Sequence, residues 1–299
     1  MVLIKSCVFL HRKAGWVHRY MSRVAQQAAG FTLMKAMRRA WPMLPEHALR
    51  ESLRKKDVLV NQVRVSGNVQ VKPGDEIVMY TRHAMQDIPI VYEDEKYLIA
   101  NKPAGINTDQ HAQSGLTLIS WADARAEGRY QPALCHRLDN QTSGLCLIAK
   151  DEASAESAQA AFKAREVIKT YECLVRGTPE PAEATLTAWS TKDARKARVT
   201  VSDSRIPGSR DIVTGYKVLA PGDVTRLEVR LYTGRTHQIR AHLAHLGHPI
   251  LGDDLYGDRA FNRAQGQPGL RLCAVSLAFP QEGGVESLRG RVFRVPAPF

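Results

Sequence analysis

The 299-residue sequence is poor in cysteine and has no long apolar run. Its five cysteines are scattered without a C-x-x-C pair, and three of them lie in apolar segments where a reduced, buried thiol is the usual state. This pattern excludes a disulfide framework and a cysteine-based zinc site. No apolar stretch approaches the roughly 18 residues that a membrane-spanning helix requires. We therefore expect a cytoplasmic protein with no membrane partner.

The composition is otherwise ordinary. Hydrophobic residues make up 44% of the chain and charged residues 24%, which is typical of a soluble globular protein. The length leaves room for a catalytic domain of ordinary size and a smaller module. The sequence shows no internal repeat and no low-complexity tract.

The net charge of +12 is concentrated in the first quarter of the chain. Residues 1–80 contain 14 Lys and Arg against 5 Asp and Glu, so nine of the twelve excess positive charges lie there. A block this basic is typical of a protein that binds phosphate backbones. The alternative is a solvated basic face that serves only solubility.

The segment HRLDNQTSGL at 136–145 places an acid, Asp139, in a short polar string that ends at an apolar run of buried-strand type at 145–149. An acid between a turn and a buried strand is costly to keep charged unless it has a partner or a chemical role. One interpretation is a structural acid that bonds Thr142 or Ser143 within a turn. The other is a catalytic carboxylate. The residues of this segment alone leave both open.

Four segments in order resemble the RluA family of RNA pseudouridine synthases. They are NKPAGI at 101–106, HRLDNQTSGL at 136–145, KTY at 169–171 and GRTHQIR at 234–240, which is followed by PILGD at 249–253 and YG at 256–257. The matches extend over about residues 90–280. Any one of them would be weak evidence, and it is their order along the chain that makes the resemblance specific.

The resemblance implies an enzyme that isomerises specific uridines of structured RNA to pseudouridine without a cofactor or a metal. Asp139 would be the catalytic carboxylate, and Arg235 would be its ion-pair partner. Tyr171 would stack on the extruded base, and Arg137 would fill the space that this base leaves. Arg137, Tyr171 and Arg235 are thus the expected substrate-binding residues. RNA is the expected partner of a monomeric enzyme.

The expected fold is α+β, with a bent mixed, mostly antiparallel sheet, flanking helices and a central cleft over 83–299. A small basic α/β RNA-binding module is expected over 1–82. It resembles a module shared with a ribosomal small-subunit protein, but it is degenerate because the usual Arg-Leu-Asp opening is absent around 19–23. Since modules of this type resemble those on synthases that modify large-subunit ribosomal RNA, ribosomal RNA is expected before transfer RNA. Within the module, a helix is predicted over 19–39.

Two other hypotheses stay open. Four histidines lie within twelve residues of one another and could form the metal site of a metallohydrolase: His237, His242, His245 and His248. No H-E-x-x-H or comparable acid spacing accompanies them. The second hypothesis is a non-catalytic RNA-binding protein. It would be favoured if the aspartate, the tyrosine or the arginine of the resemblance were missing, and all three are present.

Overall fold

The computed structural model describes residues 5–12, 15–24, 30–41, 44, 46–83, 87–109, 117–193, 198–266 and 269–299. The described residues fall into two compact units, one up to Asp87 and the other from Ile88 onward. Each unit is a sheet with a small number of helices.

The first unit is an antiparallel sheet with two helices. Its strands are β1 (Lys5–Arg12), β2 (Gly15–Arg23), β3 (Val58–Val60), β4 (Val63–Val65) and β5 (Glu76–Thr81), and its helices are α1 (Leu33–Ala40) and α2 (Glu46–Arg54). The strands lie in the order β1-β2-β5-β3-β4. Tyr20, Leu33, Met37 and Trp41 are buried in its core.

The helix predicted over 19–39 is wrong in its first part. Residues 15–23 form strand β2, which pairs with β1 and β5, and the helix begins only at Leu33; residues 25–29 lie outside the described residues. Tyr20 and Ser22 are buried while Arg23 is exposed, which is the alternation of a strand. The aromatic and β-branched residues before Arg23 favour extended backbone, and this preference prevails over the helical spacing.

The second unit has the expected α+β character with a mostly antiparallel sheet. Its strands are β6 (Ile90–Glu93), β7 (Tyr97–Lys102), β8 (Ala133–Leu134), β9 (Ser143–Ala149), β10 (Ile168–Arg176), β11 (Glu183–Asp193), β12 (Arg198–Ser202), β13 (Arg210–Ala220), β14 (Val224–Leu231), β15 (Leu272–Ala278) and β16 (Val292–Arg294). Its helices are α3 (Leu118–Ala126), α4 (Glu152–Lys163), α5 (Gln238–His245) and α6 (Arg259–Ala264). Within the described ranges no helix is longer than the 12 residues of α4, too few to cross a bilayer.

The strand order brings the start of β9 close to the middle of β10. The described strands follow the order β12-β11-β13-β14-β10-β15-β9-β7-β6, with β16 beside β15 and β8 beside β9. Ala274 of β15 pairs with Tyr171 of β10 on one side and, in a parallel register, with Gly144 of β9 on the other. The loop that carries Asp139 ends at β9, so this register sets the Asp139 loop and Tyr171 at the same level of the sheet.

Gly144 allows the close approach of β9 to β15. Its φ of +112° lies where L-residues are strained, and a Cβ would lie 2.5 Å from the backbone nitrogen of Ala274 and closer still to its carbonyl oxygen. Real Cβ atoms do not make such contacts, so a side chain here would force the two strands apart. The glycine of the 136–145 segment is thus required by packing.

Gly144→Ala should lower the free energy of unfolding by about 3 kcal/mol, from about 1–2 kcal/mol of backbone strain and about 1–3 kcal/mol of overpacking. Gly128→Ala is the matched control, because Gly128 also has a positive φ of +78° but nothing within 4 Å of its Cβ position. Gly128→Ala should lose only the part of the unfolding free energy that comes from backbone strain. Denaturant unfolding measures both changes, and equal losses would show that β9 can move away from β15 at no cost.

Candidate active site

Asp139 lies in the loop between β8 and β9, and the turn after it is closed by the backbone. The backbone N–H of Thr142 donates to the carbonyl oxygen of Asp139 at 3.1 Å. The hydroxyl of Thr142 is buried and has no hydrogen-bond partner among the described residues. The Asp139 carboxylate is therefore not used to close this turn, which argues against a purely structural acid.

Hydrogen bonds from the end of β7 and from the loop that follows it hold the backbone on both sides of Asp139. Lys102, which is fully buried, donates from Nζ to the carbonyl oxygen of Asn140 at 3.2 Å and to two carbonyls of its own loop at 2.8 and 3.0 Å. Burial lowers the pKa of Lys102 to about 8, against the charge of Asp139. The Thr108 hydroxyl accepts the backbone N–H of Leu138 at 3.1 Å and donates to its carbonyl oxygen at 2.7 Å. These bonds fix the backbone that carries Asp139.

The cation beside Asp139 is Arg240, in the first turn of α5. Its Nη1 lies 3.6 Å from Oδ2 of Asp139. Its Nε and Nη2 donate to the two carboxylate oxygens of Asp253 at 2.7 and 2.9 Å. The Asp253 side chain is 0% exposed and also accepts the backbone N–H groups of Leu255 and Tyr256, each at 2.9 Å. A buried ion pair is stable only when its hydrogen bonds are satisfied in this way.

Both members of this pair are charged. Burial alone would lower the pKa of the Arg240 guanidinium, but the hydrogen bonds and charge of Asp253, with the charge of Asp139, raise it overall. Burial alone would likewise raise the pKa of Asp253, but Arg240 and two backbone N–H groups lower it overall. Arg240 thus presents a fixed positive charge to Asp139.

The prediction that Arg235 is the ion-pair partner of Asp139 is wrong. Nη2 of Arg235 lies 3.7 Å from Oδ1 of Asp211, and Arg240 occupies the place next to Asp139. Both arginines belong to the GRTHQIR segment, but Arg235 lies in the loop after β14 and Arg240 lies on α5. An arginine between the apolar residues of a helix needs a buried acid, and this pattern could have distinguished the two. The role of Arg235 in substrate binding stays a prediction.

Asp139, Tyr171 and Arg137 line one pocket, which encloses about 340 Å³ of space including its open side. Burial, followed by the charge of Asp139, raises the pKa of the Tyr171 phenol, so the ring stays neutral. The side chain of Arg137 is 66% exposed, and its Nη1 donates to Asp109 at 2.7 Å. Three of the four sequence-predicted residues meet here, and Arg235 is not among the residues that line the pocket.

His136, the first residue of the 136–145 segment, has a structural role. Nε2 of His136 accepts the backbone N–H of Leu147 at 3.0 Å. Its ring centroid lies 4.4 Å from that of Phe162. Burial lowers the pKa of His136 to about 3, so the imidazole is neutral. It holds the start of the Asp139 loop against β9.

The four clustered histidines do not converge on one point. Each bonds a different partner: His237 Nδ1 the Tyr256 hydroxyl at 3.0 Å, His242 Nδ1 the Thr214 hydroxyl at 3.0 Å, His245 Nε2 the Asp203 carboxylate at 2.9 Å, and His248 Nδ1 the Arg176 carbonyl at 2.9 Å. In the part of the chain that the structure describes, no three metal-binding side chains are grouped. The arrangement offers the metallohydrolase hypothesis no support.

The chain is similar to known RNA pseudouridine synthases. Residues 96–245 match the family model described as RNA pseudouridylate synthase. A ribosomal large subunit pseudouridine synthase C of Vibrio parahaemolyticus is 31% identical over 83% of this chain and 83% of the relative. One of Rickettsia prowazekii is 33% identical over 77% of this chain and 83% of the relative. The solved structure of human RNA pseudouridylate synthase domain containing 1 has a TM-score of 0.61 at 28% identity, over 73% of this chain and 86% of that one.

The fold and these relatives define an enzyme that acts on RNA. The chain belongs to the RNA pseudouridylate synthase family, which confirms the resemblance to the RluA family. It is therefore an isomerase. The hypotheses of a metallohydrolase and of a non-catalytic RNA-binding protein are replaced by this assignment.

Arg240→Lys should slow the chemical step by about 100-fold, because lysine cannot bond both oxygens of Asp253 and still face Asp139. Arg235→Lys is the matched control, since it keeps the charge and alters a residue that does not line the pocket. The rate of Arg235→Lys should stay close to that of the wild type, and any weaker RNA binding should appear as a higher KM. Single-turnover pseudouridine formation at saturating RNA measures the two rates, and thermal unfolding checks that both variants fold. A slower Arg235→Lys would make Arg235 the important cation.

Proposed function

We propose that this enzyme converts uridines of ribosomal RNA to pseudouridine, with Asp139 as the catalytic carboxylate and with Arg137, Tyr171 and Arg235 binding the substrate. The observation that carries the proposal is the shared pocket of Asp139 and Tyr171, with Arg240 fixed beside the carboxylate.

The chemistry requires few groups. The bond from uracil N1 to ribose C1′ breaks, the base turns, and C5 joins C1′; C5 loses its hydrogen and N1 gains one. There is no redox change and no net group transfer, so one carboxylate that acts as a base or a nucleophile beside the sugar is sufficient. Asp139 supplies this carboxylate, and Arg240 supplies the opposite charge next to it.

The uridine must leave its base stack before it can enter the pocket. Tyr171 offers the extruded base an aromatic face in a closed environment. Arg137, exposed at the rim, is long enough to enter the space that the base leaves. Arg235 lies beside Asp211 and outside the pocket lining, and in this proposal it contacts the RNA around the extruded nucleotide.

Two observations favour ribosomal RNA as the substrate. The relatives from Vibrio parahaemolyticus and Rickettsia prowazekii are both named ribosomal large subunit pseudouridine synthases. The first 80 residues carry nine excess positive charges, which suits phosphate contacts with a large RNA. The enzyme acts as a monomer in the cytoplasm, and its N-terminal unit strengthens binding while the pocket recognises the extruded base.

Asp139→Asn should abolish isomerisation, because an amide supplies neither a charged base nor a nucleophile. RNA affinity should change little, since binding depends on other residues. Pseudouridine formation and RNA binding are measured on the same folded protein. Retention of more than a few per cent of the activity would refute the role of Asp139.

The choice of RNA is tested by mapping pseudouridines in cells with and without this gene. We expect sites in large-subunit ribosomal RNA to disappear and to return when the gene is restored. Restoration with the gene for Asp139→Asn should not return them. Loss of sites from transfer RNA alone would show that the substrate class is wrong, while the enzyme assignment would stand.

A further inference from the structure

His237 has a left-handed backbone conformation, which residues other than glycine adopt uncommonly. It is the N-cap residue of α5, with φ +50° and ψ +22°, and its side chain makes no capping hydrogen bond. The left-handed region costs an L-residue about 1–2 kcal/mol, and glycine would relieve this cost. Strain of this kind collects at functional sites. The helix start does not use the imidazole, so its use must lie elsewhere.

One edge of the ring is fixed by Tyr256. The Tyr256 hydroxyl accepts the backbone N–H of Val199 at 2.8 Å and lies 3.0 Å from Nδ1 of His237. Burial raises the pKa of the Tyr256 phenol, so the hydroxyl keeps its proton. Among the described residues, Nδ1 of His237 is the one acceptor within reach of the Tyr256 hydroxyl proton, so this proton is directed to Nδ1. A neutral His237 then carries its own proton on Nε2.

The other edge of the ring is free to meet a ligand. His237 lines the pocket that holds Asp139 and Tyr171. Among the described residues, no partner lies within hydrogen-bond distance of its Nε2. Burial, with the charges of Arg240 and Lys192, lowers the pKa of His237, and the charges of Asp139 and Asp253 do not offset this. The Nε2–H group of the neutral His237 is therefore a hydrogen-bond donor in the pocket that has no acceptor among the described residues.

We propose that Nε2 of His237 donates a hydrogen bond to an oxygen of the extruded nucleotide, and that Tyr256 is the positioning residue that sets its tautomer. This rests on the proposed function only in that the Asp139 pocket is the active site. When the bond from N1 to the ribose breaks, negative charge spreads over the uracil ring to its carbonyl oxygens. A fixed donor at such an oxygen stabilises that charge, so a base carbonyl is the acceptor that the chemistry favours over a ribose hydroxyl.

The test compares His237→Gln with His237→Met. The two side chains have about the same length, and neither has an imidazole tautomer for Tyr256 to set, but only glutamine keeps an N–H donor. We expect the methionine variant to be at least about tenfold slower than the glutamine variant in single-turnover pseudouridine formation. Any RNA that the wild type converts can be used. Equal rates for the two folded variants would overturn this proposal alone. The proposal that the pocket is the active site is tested separately, by the activity of Asp139→Asn.

Modified substrates identify the acceptor. With 4-thiouridine or 2-thiouridine at the target position, the weaker sulfur acceptor should reduce the difference in rate between His237→Gln and His237→Met. If the difference disappears only with 2′-deoxyuridine, the acceptor is the ribose hydroxyl, and the proposal holds with that oxygen. If it survives all three substitutions, His237 does not contact these oxygens and the proposal is overturned.

Tyr256→Phe tests the positioning step. It should slow the wild-type enzyme but leave His237→Met unchanged, because the methionine has no tautomer to set. Equal slowing of both would show that the phenol acts independently of His237, which would overturn the role assigned to Tyr256.

Discussion

The proposed active site depends on one buried ion pair, between Arg240 of α5 and Asp253. Removing one partner of such a pair costs about 3–5 kcal/mol, because the other charge is then left without compensation. Here the guanidinium and the carboxylate share two hydrogen bonds, and Asp253 also accepts two backbone N–H groups. With two nitrogens engaged in this way, the third, Nη1, is held 3.6 Å from Asp139. The fold thus presents a rigid cation to the carboxylate.

Other contacts fix the carboxylate itself. Lys102 and Thr108 hold the backbone before and after Asp139 through carbonyl oxygens and an N–H group. The loop then enters β9, whose Gly144 lies against β15. Tyr171 reaches the same level from the other side of β15. Preorganisation of this kind is what a reaction with few catalytic groups requires, because positions fixed before binding need no reorganisation during the chemical step.

The sequence predicted the site residues that short motifs contain and missed the features that depend on long-range contacts. Asp139 and Tyr171 are found in the expected pocket, and the α+β sheet is as expected. The apolar neighbours of Arg240 in the shared motif indicate a buried acid partner, but only the fold shows that this acid is Asp253 and that Arg240 then faces Asp139. The strand β2 was missed because its residues also fit helical spacing, and only the pairing with β1 and β5 decides between the two. Tyr256 and His237 are 19 residues apart, and only the fold shows their contact.

The central claim is that Asp253 holds the charge that Arg240 presents to Asp139, and Asp253→Asn tests it most directly. Asparagine keeps the shape of the side chain but not its charge. Asp254→Asn is the control, because Asp254 also lies 3.5 Å from Nη2 of Arg240 but its side chain is 87% exposed. Single-turnover pseudouridine formation should fall by about 100-fold in folded Asp253→Asn with RNA affinity retained, and should stay near the wild-type rate in Asp254→Asn. A folded Asp253→Asn that works at the wild-type rate would contradict the account.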